Sequence, residues 1–153
     1  MSKREKILMF ISAVTLIVLT VTSVSLYKLK NDSQFLQNQI DIKFIYSLRI
    51  TVSSYRGVDE AGFANEYTEE TFYKNAYICT DLYSLTSYSD NETFSDIIRL
   101  LSNTVRLHKV PKLSDELITC ILKYAAHPNE CAELEPEITE EIQKIFNNQF
   151  ENL

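Results

Sequence analysis

From Ile7 to Tyr27 the chain runs for twenty-one residues without a charged side chain, directly behind the basic start Lys3-Arg-Glu-Lys6. As a helix this run covers about 31 Å, enough to cross the ~30 Å hydrocarbon layer of a bilayer. A segment of that kind is solvated by lipid, so it decides where the rest of the chain folds. Lys3, Arg4 and Lys6 precede it, and the positive-inside rule then predicts residues 1–6 as a cytoplasmic stub. Residues 7–27 are expected to be a transmembrane signal-anchor. Residues 28–153 are expected to form a single extracytoplasmic domain of a single-pass protein of the cell membrane.

The same residues also fit a cleaved secretory signal, with a basic start, an apolar stretch over Ile7–Leu19, and Ser23 or Ser25 before the cut. Apolar character resumes at Val24 and Leu26, and no Ala-x-Ala pattern occurs, which favours retention. Serine and threonine inside the run are compatible with spanning, because their hydroxyls bond back to helix carbonyls. Tyr27, Lys28 and Lys30 resemble an interfacial aromatic with snorkelling lysines. Cleaved or not, the domain is exported.

The exported portion carries twelve Lys and Arg against twenty Asp and Glu, a net charge of −8. Nucleic acid and anionic lipid surfaces attract basic footprints, so neither is an expected partner of this domain. Its glycines are Gly57 and Gly62, too few for a glycine-rich phosphate loop. No cofactor is expected.

Helical periodicity divides the exported portion into five segments. Over residues 33–56, Leu36, Ile40, Phe44, Leu48 and Val52 recur every fourth position, widened by Ile45 and Tyr55. Gly57 then sits where a left-handed cap belongs. Residues 66–88 carry Phe72, Ala76, Cys79 and Tyr83 on one face, with Ile78, Leu82 and Leu85 on another. Apolar groups over so much of the circumference imply a central helix or one that meets a second chain. The third segment opens on Ser89-Asp-Asn-Glu92, which fits a capping box, and continues through Phe94, Ile97, Ile98, Leu101 and Val105. Ser114 is placed to cap the fourth, which His127-Pro128 ends. Glu135-Pro136 opens the fifth, with Ile138, Ile142, Ile145, Phe146 and Phe150 as its stripe. No segment shows hairpin chemistry, and the β-prone stretch Ile50–Ser54 reads as helix. The fold class is therefore all-α: a membrane helix followed by an antiparallel bundle of four to five helices.

Three cysteines allow at most one internal disulfide. Cys120 and Cys131 are the expected pair: seven helical rises to His127 are about 10 Å, which four extended residues after Pro128 can retrace. The alternative is three reduced, buried thiols.

Groups that could carry chemistry are sparse. His127, Glu130, Cys131 and Glu133 include one histidine and no second at helical spacing, too few ligands for zinc. His108 reads as helix-end capping. Glu69/Glu70, Asp115/Glu116 and Glu140/Glu141 are adjacent pairs that point apart on a helix. Asn31-Asp-Ser33 and Asn91-Glu-Thr93 match glycosylation acceptors and also helix starts. The tyrosines around the second segment are the feature most suggestive of recognition, because tyrosine joins a large apolar ring to a polar tip. Tyr73, Tyr77 and Tyr88 are the expected interaction surface. No catalytic or metal site is expected. The expected function is a membrane-anchored helical module for protein–protein interaction or self-association. The alternative is an extracytoplasmic sensor or ligand-binding bundle acting through a membrane partner.

Overall fold

No proline or glycine occurs before Gly57, so nothing in the first fifty-odd residues interrupts backbone hydrogen bonding. Accordingly, in the computed structural model the apolar run and the first expected segment form one helix, α1 (Lys3–Ser54), with no break at Asn31-Asp32. The structure describes residues 3–59 and 62–149. It divides into two units, one ending at Asn38 and the other beginning at Gln39.

In the first unit every side chain from Val14 to Leu36 is exposed. The Thr20 hydroxyl donates to the Leu16 carbonyl at 2.8 Å, and that of Thr22 to Val18 at 2.9 Å. Both hydroxyls are thus satisfied inside the helix. Among the described residues no helix is long and apolar enough to cross a membrane. The expected span Ile7–Tyr27 falls partly outside that description, since the side chains of residues 7–11 and 13 lie outside the described residues.

The second unit is an all-α bundle built on the C-terminal part of α1. Phe44, Leu48 and Val52 are buried, as their fourfold spacing predicts, while Ile40 is half-buried and Leu36, the first of the expected row, is exposed. Ser54 closes α1 as helix, so the β-prone stretch Ile50–Ser54 is helical as read. The exit differs from expectation. A 3-10 turn (Tyr55–Gly57) follows, and the left-handed glycine is Gly62 (φ 114°), not Gly57. Gly62 belongs to a two-residue-per-strand hairpin, β1 (Val58–Asp59) and β2 (Gly62–Phe63), paired antiparallel as Val58 to Phe63 and Asp59 to Gly62. Sequence periodicity misses a hairpin this short, because two residues cannot show alternation.

Helix α2 (Glu66–Tyr83) is capped by Asn65, whose side chain accepts from the Thr68 amide at 2.9 Å. It buries Phe72, Ala76 and Cys79 and ends five residues before Tyr88, so Tyr88 lies in the following turn and not on the helix. Helix α3 (Glu92–Leu107) is capped by Asn91, not Ser89: the Asn91 carboxamide accepts from the Phe94 amide at 2.8 Å. Phe94, Ile97, Ile98, Leu101 and Val105 are buried as expected, and His108 forms the left-handed C-cap (φ 48°). Helix α4 (Asp115–Ala126) starts at Ser114, whose hydroxyl accepts from the Leu117 amide, and stops at His127. Helix α5 (Glu135–Gln149) buries Ile138 and Ile142, with Ile145 and Phe146 packed on the core edge; Phe150 lies outside the described residues.

Between α4 and α5 the chain makes two 3-10 turns, Pro128–Glu130 and Ala132–Leu134. A 3-10 turn rises ~2 Å per residue against ~3.3 Å for an extended strand, so the return path assumed for a Cys120–Cys131 bond is not taken. All three cysteines are free thiols, with Cys79 and Cys131 buried and Cys120 partly so.

Candidate functional site

The expected tyrosine surface is divided by the fold. Tyr73 sits in one aromatic group with Phe63, Phe72 and His108, its ring 5.3 Å from Phe72 and 5.6 Å from His108. Tyr88 belongs to another, 6.2 Å from Phe44 and 5.0 Å from Phe94. Tyr77 is half exposed on α2. Burial raises the phenols of Tyr73 and Tyr88, and nearby Glu69 and Asp41 add to it. Both rings therefore spend much of their area on their own core.

The richest polar arrangement joins three elements. Tyr124, buried near the C-terminal end of α4, donates to Glu135 Oε1 at 2.6 Å at the start of α5. It accepts from Asn91 Nδ2 at 2.8 Å at the cap of α3. Nearby, the Tyr83 hydroxyl lies 2.9 Å from the Ser89 carbonyl and 3.1 Å from that of Asn91. Burial pushes the Tyr124 phenol up to about 12, and the Glu135 carboxylate it faces acts the same way. A recess of about 540 Å³ opens beside this network, lined by Asp90, Glu92, Asp96 and Glu135 with Thr93 and Thr139. The network is structural: it holds two helix starts to a helix end. Since the Asn91 amide nitrogen is engaged with Tyr124, the second glycosylation match is occupied in the folded protein.

Two of the thiols, Cys79 and Cys120, are held toward the protonated form. Burial drives Cys79 up to about 12, and burial with the neighbouring Glu137 raises Cys120. Around Cys120 lies a recess of about 410 Å³ lined by Asp115, Glu116, Thr119 and Glu137. Of the metal-like cluster, His127 Nδ1 stands 4.0 Å from Glu130 Oε2 with both side chains exposed. Among the described residues no three His, Cys, Asp or Glu side chains are placed to hold a metal ion.

The third feature escaped the sequence reading. Ile42 and Tyr46 each lie two residues from the buried Phe44, about 200° round the helix, and so point away from the core. They are 55% and 65% exposed. Tyr46, Arg49, Ile50, Ser53 and Ser54 line a groove of about 490 Å³. The signal was present as a second row at helical spacing, 42, 46, 50 and 53, overshadowed by the longer core row. Tyrosine, isoleucine and arginine together match the side chains that protein interfaces favour. Comparison with known protein families, curated proteins and solved structures finds no match.

Proposed function

We propose that this protein is a membrane-anchored helical interaction module, held by residues 7–27 and presenting its bundle to a protein partner outside the cytoplasm. The observation that carries the proposal is the charge-free stretch of α1. Its described apolar side chains from Val14 to Leu26 are exposed, and its threonine hydroxyls at positions 20 and 22 bond back into the helix. Exposed leucine, isoleucine and valine in such density are costly in water and favourable in hydrocarbon. These bonds satisfy two of the hydroxyls that lipid would otherwise penalise. Basic residues on the N-terminal side set the orientation. Binding is supported by the interface-type residues on the outer face of α1.

The test is an epitope tag at the C-terminus of the full chain in intact cells. Protease added outside should remove the tag, and alkaline carbonate should leave the protein in the membrane pellet. A tag protected under conditions that digest a known exported control would refute the orientation. Release by carbonate would refute the anchor.

A further inference from the structure

We propose that the outer face of α1 from Ile42 to Ser53 is a docking groove for an acidic amphipathic helix of a partner protein. The proposal rests on the reading of this chain as an interaction module, and it names the surface and the chemistry of what binds there.

Shape and exposure come first. Tyr46 and Ile42 present apolar area away from the core, and Ile50, Ser53 and Ser54 continue the strip with Arg49 along the same helix. A helical ligand lays apolar residues at i, i+3, i+4 and i+7 into such a strip and keeps its polar flanks at the rim. Tyrosine and arginine are also the residues that most often carry binding energy when a partner covers them.

Charge then selects the partner. Within the second unit, residues 39–56 hold three basic side chains and one acidic, a net of +2, whereas residues 57–153 hold seven basic and eighteen acidic, a net of −11. The basic side chains nearest the groove are Lys43 and Arg49 of α1 and Arg56 of the 3-10 turn that follows it, all exposed. The ion pairs among the described residues use Arg99, His127 and Lys144 and none of these three. A guanidinium beside an apolar strip takes a carboxylate bidentately, so glutamates flanking the ligand's apolar row satisfy it. Steering by opposite charge would add to the association rate.

The same charges disfavour the two ways a second copy could fill the groove. Face-to-face pairing of two α1 helices would bring Lys43 and Arg49 of one copy toward those of the other. The chain's own acidic helix, α5, has its apolar residues Ile138 and Ile142 buried in the core, leaving it no apolar row to offer.

The full chain in detergent micelles is titrated into a fluorescent synthetic helix with leucines at i, i+3, i+4 and i+7 and glutamates on both flanks. Saturable anisotropy is expected, and the same helix with lysines in place of the glutamates should not bind. Tyr46→Ala and Arg49→Glu should each weaken binding by about tenfold or more, while Tyr77→Ala should leave it unchanged. Arg49→Gln serves if Arg49→Glu alters the melt. Binding that Tyr46→Ala and Arg49→Gln both leave untouched overturns the proposal, as does equal binding of the lysine helix or failure of the acidic helix to bind. An Ile42→Cys chain that oxidises quantitatively to a dimer overturns it in favour of self-association. Protease shaving of intact cells reads the orientation independently, so loss of the groove and loss of the anchored-module reading give different results.

Discussion

Replacing Tyr124 with phenylalanine removes one oxygen from the buried junction of α3, α4 and α5 and leaves the ring's packing intact. The oxygen donates to the Glu135 carboxylate at 2.6 Å and accepts from Asn91 at 2.8 Å. A hydrogen bond to a charged group contributes about 1.5–3 kcal/mol and a neutral one about 0.5–1.5 kcal/mol. Glu135 is only half-buried and can recover water, which sets the expectation toward the lower end, about 2–3 kcal/mol. For a bundle of this size that corresponds to a fall in Tm of roughly 8–15 °C. The chain has no tryptophan and eight of its nine tyrosines follow residue 38, so near-ultraviolet tyrosine dichroism of the full chain in detergent reports mainly the bundle.

Glu135→Gln keeps an acceptor and should cost about 1 kcal/mol. The double variant then isolates the link: if the hydroxyl and carboxylate stabilise each other, the two losses fall short of adding by about 1 kcal/mol or more. A Tyr124→Phe chain within about 0.5 kcal/mol of the parent would refute the assignment of this network as what fixes the start of α5. So would strict additivity with Glu135→Gln.

Further outcomes follow from neighbouring positions. Phe44→Ala should destabilise the bundle by about 3–5 kcal/mol, whereas Tyr46→Ala, two residues along the same helix, should shift it by less than about 0.5 kcal/mol; chemical denaturation of the two variants compares them directly. Folding raises the Cys79 thiol and the Tyr124 phenol to about 12 from ordinary values near 9 and 10. The neutral forms are favoured in the folded state, so their contribution is complete below pH 9 and is lost as pH rises through the 9–12 window. Melts across that window should show Tm falling with pH, and a flat profile would contradict the burial of both groups. Under native conditions a thiol-alkylating reagent followed by peptide mass analysis should modify the partly exposed Cys120 first, with Cys79 and Cys131 following only on unfolding.

Where one interaction dominated, the sequence showed the structure. The rows at 44, 48, 52 and at 94, 97, 98, 101, 105 face the core because each is fixed by burial alone, and spacing registers burial directly. Ser114 and His127 bound α4 as read, since cap chemistry there has no local rival. Two of the misreadings, the cap of α3 and the end of α2, share one cause, a long-range partner. Ser89 and Asn91 are both good caps, and the choice is made by Tyr124, thirty-three residues beyond Asn91, which engages the Asn91 side chain. Helix α2 stops at Tyr83 without a glycine or proline, because Thr86 turns back onto the Tyr83 carbonyl at 2.7 Å and Ser87 is held by Asp41 of α1. That turn is what carries Tyr88 off the helix and onto Phe44 and Phe94.

The same reasoning explains why the candidate surface moved. Tyrosine count favoured α2, but a ring's sequence position does not say whether its own core has already claimed it. Tyr73 and Tyr88 are claimed, by Phe72 and Phe94 respectively, and what they have left for a partner is small. Tyr46 is a single tyrosine on the part of α1 that belongs to the bundle, whose apolar row lies elsewhere, so composition gives it no weight. Its position two residues from Phe44 gives it all the weight: on a helix that contributes Phe44 and Leu48 wholly to the core, residues 42, 46 and 49 are left exposed. An isoleucine and a tyrosine left in that position, beside cations that form no ion pair among the described residues, are costly on a surface that no partner touches. Recognition is therefore better sought on the face of α1 that folding leaves bare than on the helix with the most aromatic residues.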